Sequence, residues 1–306
     1  MAIKTMFTNL RQTAGMNTRA LLCLSTLCAT VLALPAAAQG LGAPGKLLLT
    51  NGISTIEGSA GGGLTPWAVI AGNATRDGIG GQASATIAAL PDYDFISLSA
   101  AIGAWDRVEI SVARQVFDTN RVGGALGLGN DFKFDQNVFG AKVRVAGDVV
   151  YDPAWMPAIA VGVQHKDSLD DAIIRAVGAR HGAGTDYYVT ATKLFLDWSL
   201  LANVTVRATK ANQGGLLGHG GALGDAHRLQ VEGSLAYQFS RRLVVGAEYR
   251  TKPSNLAIAR EDDWADAFVA YGLNRHVTAT IAYTELGSIA TFDKQRGMLF
   301  QLQSSF

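Results

Sequence analysis

The residues best suited to acid–base chemistry are four histidines that fall near the ends of predicted strands. Histidine transfers protons near neutral pH, and it supports nucleophilic catalysis when it is paired with a serine and a carboxylate. No nucleophile elbow, phosphate-binding loop or zinc-ligand spacing accompanies these histidines. Each is therefore interpreted as a solvated loop residue, with a lipid-modifying rim site as the alternative. The four are His165, His181, His219 and His227.

Two groups of carboxylates have the ligand type that a divalent cation prefers. Asp131 and Asp135 form one group, and residues 261–263 form the other. Neither group has the spacing of a calcium loop, which places its ligands over about twelve residues. The glycine-rich stretches at 127–129 and 214–224 match no dinucleotide or phosphate loop. The sequence therefore predicts no catalytic residue, no metal and no cofactor, and we interpret the protein as not an enzyme.

The first 38 residues have the composition of a signal peptide. Their start is positively charged, and a nearly continuous apolar run follows at 20–34. Pro35 and three alanines that end at Ala38 provide the small residues of a cleavage site. The apolar run is shorter than the roughly 20 residues of a membrane helix. We expect residues 1–38 to be a signal peptide and residues 39–306 to form one domain.

Composition limits what this domain can be. Both cysteines, Cys23 and Cys28, precede the predicted cleavage site, so no disulfide would stabilise the exported chain. The sequence is 17% charged with a formal net charge of +1, which is a low charge content for a soluble surface and disfavours binding to nucleic acid. Beyond the leader no apolar run reaches the length of a membrane helix. A membrane-spanning chain of this kind has to be a β-barrel.

Segments of about ten residues alternate between apolar and polar side chains, which is typical of barrel strands. In residues 228–239 the odd-numbered positions are apolar or glycine, and most even-numbered positions are polar. Residues 198–207, 242–250 and 276–284 alternate in the same way. A soluble β-sandwich alternates too, so this pattern predicts strands without fixing the class of protein.

The end of the chain favours the membrane class. The last strand places Met298, Phe300, Leu302 and Phe306 on one face. A terminal strand that ends on an aromatic residue resembles the signal by which outer-membrane assembly machinery recognises its substrates. We therefore expect this machinery to be a partner and Phe300, Leu302 and Phe306 to form the assembly signal.

The positions of the tryptophans also favour a membrane barrel. Amphipathic rings collect in girdles at the two membrane interfaces. All five tryptophans fall beside predicted turns or at strand starts, so each is predicted to contact outer-membrane lipid or lipopolysaccharide at an interface. They are Trp67, Trp105, Trp155, Trp198 and Trp264.

The predicted fold is an all-β, antiparallel up-and-down barrel in the cell outer membrane. About 14 strands are expected if the weak segments at 52–60 and 66–72 cross the membrane. If the glycines at 61–63 instead belong to an N-terminal plug, about 12 strands remain. With the last strand ending in the periplasm, short connections near 105, 152, 195, 240 and 273 are periplasmic. The long outward loops are then 118–137, 167–185, 210–226, 253–263 and 287–295.

One outward loop is predicted to contain a short helix. Residues 168–171 resemble a capping box, and Gly178 is suited to end a helix of about two turns. Ile173, Ile174 and Val177 are apolar and should not stand in water. The helix is therefore expected to pack at or inside the barrel mouth.

Three stretches resemble a family of uncharacterised proteobacterial outer-membrane proteins, a domain of unknown function. They are GKLLLT at 45–50, the glycine-rich segment from IEG to TPW at 56–67, and residues 106–115. The resemblance would span most of the exported chain. It implies a barrel and brings neither a catalytic residue nor a known substrate.

Cations outnumber carboxylates on the predicted inner face. An unpaired surplus in a narrow, partly dehydrated passage sets ion preference, so the leading hypothesis is a channel for small anionic solutes. A sealed structural or partner-binding barrel is the alternative, and a rim enzyme that acts on lipid or lipopolysaccharide is the third. The sequence leaves the oligomeric state open. The predicted lumen charges are Arg107, Glu109, Lys142, Arg144, Arg207, Arg228, Glu232, Glu248 and Arg250.

Overall fold

Twelve antiparallel strands close into a barrel in the computed structural model, which describes residues 45–258 and 260–306. The predicted signal peptide at 1–38 lies outside the described residues. Consecutive strands pair, and the last strand pairs with the first strand of the barrel, so closure leaves no unpaired sheet edge. The barrel strands are β3 (Ile79–Ala89), β4 (Asp94–Ala104), β5 (Val108–Asp118), β6 (Lys133–Ala146), β7 (Ala158–Ser168), β8 (Ala183–Phe195), β9 (Leu200–Thr209), β10 (Arg228–Ser240), β11 (Leu243–Arg250), β12 (Trp264–Gly272), β13 (Val277–Glu285) and β14 (Arg296–Ser305).

The prediction of about 14 membrane strands is wrong, and the alternative of about 12 strands with an N-terminal plug is confirmed. The chain before β3 lies inside the barrel, where β1 (Ile53–Ser54) and β2 (Ala60–Gly61) form a small hairpin. Two-residue strands are far shorter than the roughly 9–11 residues of a membrane strand. Gly52 and Gly58 have positive φ, which lets the chain turn back within the lumen.

The barrel has an apolar outer surface and a largely polar interior. In β12 the inward Trp264, Asp266 and Phe268 are buried, whereas Val269 and Tyr271 point outward and are exposed. The same alternation exposes large apolar side chains around the wall. An apolar surface of this extent is stable against lipid and not against water. The chain is therefore an outer-membrane barrel.

The two ends of the barrel differ in the length of their connections. Most turns at the end that contains Phe306 are short, with residues 147–157 as the long exception. Most connections at the opposite end are long, with residues 90–93 as the short exception. The predicted division into short turns and long loops is confirmed, and we call the long-loop end the outer end. Its long loops are 119–132, 169–182, 210–227, 251–263 and 286–295.

Short helical segments occur in the connections. Two are α-helices, α1 (Val122–Ala125) and α2 (Asp171–Ala176), and two are 3-10 turns at Leu196–Trp198 and Gln213–Gly215. No helix in the described residues is long and apolar enough to span a membrane.

The helix predicted in the loop after β7 is confirmed as α2. It begins after Asp170, and Gly178, with a φ of 101°, follows its end. Ile174 is fully buried, Ile173 packs against the core, and Val177 lines a cavity in the outer half of the lumen. Contacts of these three side chains hold α2 at the barrel mouth.

Phe306, which follows β14, joins this strand to β3. Phe306 N donates to Gly81 O at 2.9 Å, and Gly81 N donates to Phe306 O at 3.0 Å. The Phe306 ring lies over Gly81, where a Cβ atom would collide with it. Phe300 and Leu302 are half-buried on the outward face of the same strand. Their recognition by assembly machinery stays a prediction.

Candidate functional site

The barrel lumen is occupied by residues 45–74, which we call the plug segment. All of residues 51–74 are buried. Their backbone polar groups are paired largely with side chains of the wall: Ile56 O, for example, accepts hydrogen bonds from Ser97 Oγ at 2.7 Å and Gln115 Nε2 at 2.8 Å. A buried irregular backbone requires such partners, because each unpaired polar group is costly. The inward polar positions of the strands therefore hold the plug segment.

Glu109 on β5 and Lys142 on β6 form the first charged contact with the plug segment. They are register partners on neighbouring strands, and their charged atoms are 3.1 Å apart. Glu109 accepts hydrogen bonds from Ala60 N at 3.1 Å and Ala71 N at 2.9 Å. Lys142 donates to Ala60 O at 2.8 Å and Trp67 O at 3.1 Å. The pair thus fastens two parts of the plug segment at once.

A second contact holds residues 62–67, which we call the strap. Glu248 on β11 accepts hydrogen bonds from Leu64 N at 2.7 Å and Thr65 Oγ1 at 2.6 Å. Ser234 on β10 accepts one from Trp67 Nε1 at 2.9 Å, and its hydroxyl lies 2.5 Å from that of Thr65. These bonds fix the strap across the lumen.

The third contact is a buried ion cluster centred on Glu57 of the plug segment. Glu57 Oε1 lies 2.6 Å from Lys166 Nζ and 2.8 Å from Arg250 Nη2, and its Oε2 lies 3.3 Å from Arg207 Nη2. Two wall carboxylates complete the cluster. Asp186 lies 2.8 Å from Lys166, and Glu232 pairs with Arg207 and lies 3.4 Å from Arg250.

The buried ion cluster is electrically balanced. Glu57, Asp186 and Glu232 oppose Lys166, Arg207 and Arg250, so three negative charges meet three positive ones. All six side chains are buried. Removing one partner of such a set leaves a buried unpaired charge, which costs about 3–5 kcal/mol. The wall therefore depends on Glu57 of the plug segment for its charge balance.

Seven of the predicted lumen charges face the interior and are buried, namely Glu109, Lys142, Arg144, Arg207, Glu232, Glu248 and Arg250. The prediction is wrong for Arg107 and Arg228. Arg107 lies in the short turn before β5 and is exposed, and Arg228 is exposed at the outer end of β10. The alternation along each strand assigns both residues to the inward face. They lie at the strand ends, however, where the wall no longer encloses them.

Glu57 is the one charged residue of the buried ion cluster that lies outside the barrel strands, and the sequence did not single it out. It lies on an irregular segment, so alternation assigns it to no face. The predicted excess of inward cations was a usable signal, because buried cations require partners. A carboxylate outside the strands had to supply part of the missing charge, and Glu57 does so.

The tryptophans divide into two groups. Trp105, Trp155 and Trp198 are exposed in the connections opposite the outer end, a placement compatible with an interfacial girdle. The interface prediction is wrong for Trp67 and Trp264, which are 3% and 6% exposed inside the barrel. Trp67 belongs to the strap, and Trp264 packs beneath Lys252, whose Nζ is 4.4 Å from its ring centroid. Both rings are therefore needed inside the lumen and not at the lipid.

Above the plug segment lies a cavity of about 280 Å³, which we call the outer cavity. Ile56, Glu57 and Leu64 of the plug segment contribute to its lining, and side chains from the outer halves of the strands surround it. Val177 and the loops around Leu216 and Leu256 line it from the outer end. The wall side chains are mainly aromatic and aliphatic, among them Phe95, Phe117, Phe134, Trp264 and Leu299.

A polar group stands beside the outer cavity in the outer loops. Glu261 accepts a hydrogen bond from Gln213 N at 2.9 Å, and Lys252 donates to Gln213 Oε1 at 2.9 Å. Burial lowers the pKa of Lys252 to about 8, although Glu261 opposes this shift. Burial also raises the pKa of Glu261. These contacts connect the loop 251–263 to the loop 210–227.

The histidines are not arranged as a nucleophilic site. His165 Nδ1 lies 3.0 Å from Thr185 Oγ1, His181 Nε2 lies 3.1 Å from Asp225, and His227 Nε2 lies 2.8 Å from Thr185 O. His219 is fully buried against Gly184, and burial lowers its pKa to about 4. Within residues 45–258 and 260–306, no serine hydroxyl is hydrogen-bonded to a histidine ring, and no group of three ligating side chains is placed to hold a metal.

Solved structures with a similar fold are outer-membrane barrels. A KdgM porin is 10% identical with a TM-score of 0.46, over 74% of this chain and 99% of that chain. A NanC porin is 10% identical with a TM-score of 0.45, over 74% and 98%. The outer membrane phospholipase A of Escherichia coli is 9% identical with a TM-score of 0.39, over 74% and 92%. Likeness at this level carries no argument about function.

No curated protein matches the sequence. A protein family does: residues 50–303 match the model of a family of unknown function. The match includes most of the plug segment as well as the barrel strands. It confirms the resemblance inferred from residues 45–50, 56–67 and 106–115. The chain belongs to this family, the proteins of unknown function designated DUF3034.

Proposed function

We propose that this barrel is a gated outer-membrane channel whose outer cavity binds a small, largely apolar molecule. The observation that carries the proposal is the cavity of about 280 Å³ between the outer loops and the plug segment. Binding sites for small molecules are concave and mostly apolar, with a few polar groups. A molecule in the outer cavity contacts Ile56 and Leu64 of the plug segment directly. Binding is thereby coupled to the element that closes the lumen.

A small pocket on the far side of the strap supports a route through the lumen. It has a volume of about 30 Å³ and is lined by Trp67 of the strap and by Leu201 and Phe268 of the wall. Leu64, also in the strap, lines the outer cavity. Apolar space therefore lies on both sides of one short segment, and movement of residues 62–67 joins the two spaces.

A sealed structural barrel is the second candidate. The balanced ion cluster around Glu57 and the hydrogen bonds of the strap favour it, because both stabilise the seated plug segment. The two candidates differ in one respect: a channel requires the strap to move, and a sealed barrel does not. A disulfide bond that fixes the strap to the wall therefore distinguishes the two candidates.

The test is a disulfide between strap and wall. Thr65→Cys with Ser234→Cys replaces two hydroxyls that are 2.5 Å apart, and no other cysteine occurs beyond the predicted leader. We expect the reduced protein to conduct in planar bilayers when octanol is added and the oxidised protein not to conduct. Ser84→Cys with Ser99→Cys is the matched control, since it joins β3 to β4 within the wall at hydroxyls 2.8 Å apart.

Equal conductance of the oxidised and reduced strap variant would exclude a route past the strap. Absence of conductance from the wild-type protein, with and without octanol, would favour the sealed barrel. The control disulfide is expected to leave conductance unchanged, which excludes a general effect of stiffening the barrel. Reversal potentials across a salt gradient measure the ion preference of any open state.

A further inference from the structure

The outer cavity is lined mainly by apolar side chains, and its floor meets the buried ion cluster. Of the described residues that line the cavity, Glu57 is the one with a formal charge. Its carboxylate lies within 3.3 Å of Lys166, Arg207 and Arg250, which project from β7, β9 and β11. The cavity therefore has an apolar body and, at one point of its floor, a carboxylate held by cations of the wall.

The wall part of this cluster is not neutral without the plug segment. Lys166, Arg207 and Arg250 oppose only Asp186 and Glu232 on the strands. When the plug segment moves, Glu57 leaves with it, and three cations face two carboxylates. A buried charge without a partner is costly, so this surplus attracts an anion or opposes the movement of the plug segment.

We propose that the ligand of the outer cavity is an apolar carboxylate and that Glu57 occupies its anion subsite while the plug segment is seated. This inference rests on the proposed function. The ligand's apolar part fills the cavity, and its carboxylate replaces that of Glu57 beside Lys166, Arg207 and Arg250. One carboxylate is exchanged for another, so the buried charge stays balanced as the plug segment leaves.

The same exchange accounts for two features that otherwise conflict. Below the cavity the wall contributes three cations and two carboxylates to the buried ion cluster, whereas the cavity itself is lined mainly by aromatic and aliphatic side chains. A small inorganic anion would use the cations and leave the cavity unfilled. A neutral apolar molecule would fill the cavity and leave a surplus of one cation once Glu57 has moved away. An apolar carboxylate satisfies both surfaces.

The experiment removes the internal carboxylate. Glu57→Ala vacates the subsite, and Glu57→Gln keeps the shape of the side chain without its charge. Binding of octanoate and of octanol is measured by calorimetry on the full barrel in amphipol, with empty amphipol as the blank. We expect both variants to bind octanoate at least about ten-fold more tightly than the wild-type protein. Octanol affinity is expected to change by less than about two-fold.

The matched control is Asp186→Asn. It makes the same charge change in the same cluster, but Asp186 is on the wall and does not line the outer cavity. We expect no gain in octanoate affinity from this variant, because the Glu57 carboxylate still competes for the three cations, whereas the neutral amide of Glu57→Gln does not. A second readout is thermal stability: formate should raise the Tm of Glu57→Ala and leave that of the wild-type protein unchanged.

The outcomes separate the inference from the proposed function. Equal gains for octanoate and octanol, or an equal gain from Asp186→Asn, would overturn the inference. Octanol binding without any preference for octanoate in the Glu57 variants would overturn it too, and the cavity would still be a binding site. If neither ligand binds to any of the proteins, the proposed function itself fails. If Glu57→Ala does not fold, Glu57→Gln decides the result.

Discussion

The two halves of the lumen are built from opposite chemistry. Hydrogen bonds and ion pairs fasten the plug segment to the wall, as at Glu109 and Glu248. The outer cavity beyond it is lined mainly by apolar side chains. Buried polar groups require particular partners, whereas apolar contact is non-directional. The polar half therefore specifies one position of the plug segment, and the apolar half tolerates ligands of different shape.

The largest expected effect comes from removing a charged side chain that holds the plug segment. Lys142→Met removes the cation that holds Glu109 and leaves a buried carboxylate unpaired. We expect a loss of about 3–5 kcal/mol from the free energy that keeps the plug segment seated. Measurable consequences are a lower unfolding midpoint and conductance in planar bilayers without added ligand.

An exposed ion pair is the control for Lys142→Met. Lys133 and Asp118 lie 3.0 Å apart at the outer end, and the Lys133 side chain is 56% exposed. Lys133→Met should cost no more than about 1 kcal/mol and should not open the barrel. Similar losses from Lys133→Met and Lys142→Met would show that burial does not distinguish the two pairs. Adding Glu109→Gln to Lys142→Met should recover part of the loss, since it removes the unpaired charge.

A smaller effect is expected from pH in loop 210–227. Burial lowers the pKa of His219 to about 4 from an ordinary value of 6.5, so between these values the unfolded loop binds more protons than the folded one. The stability of loop 210–227 is therefore fully present above pH 6.5 and falls as the pH drops towards 4, by roughly 2 to 3 kcal/mol.

Hydrogen exchange of amides 210–227 at pH 4.5 and 7 measures this loss. His219→Phe keeps a ring against Gly184 and removes the titrating group, so its exchange should depend less on pH once intrinsic rates are corrected. An unchanged pH dependence in His219→Phe would assign the effect to another group.

The smallest expected effect on stability comes from filling the apolar half. Ala88 is buried on β3 and lines the outer cavity. Ala88→Phe places a ring in empty space, so we expect a change in stability below about 1.5 kcal/mol. Octanol affinity should fall by about ten-fold or more, because the ring competes for the same volume. Ala267→Phe on the lipid face of β12 is the control and should leave binding unchanged; equal losses from both variants would place the ligand elsewhere.

Sequence alone predicted the barrel strands because alternation is a local property of each strand. The number of strands could not be predicted in this way, because it depends on contacts between distant parts of the chain. Residues 52–60 and 66–72 have strand-like composition, but their polar partners in the wall, such as Glu109, are far away in the sequence. The alternation likewise predicted that Arg107 and Arg228 face inward, but it did not predict that they lie at the ends of the strands. Glu57 lies in the plug segment, and the outer cavity is partly lined by the outer loops. Neither segment has a periodic sequence, so no sequence pattern predicted these features.

The bonds made by Phe306 have a consequence for the order of assembly. Its carbonyl oxygen accepts hydrogen bonds from Gly81 of β3 and from Asn73, where the plug segment leaves the lumen. Asn73 Nδ2 also donates to Ser305 O at 3.1 Å, across 232 positions in sequence. Because these acceptors lie at the end of β14, the strand that closes the barrel against β3, residues 51–74 find their complete set of partners only after these two strands have paired. Docking of the plug segment is thus a late event in folding, and its protection from proteolysis reports that the cylinder has closed.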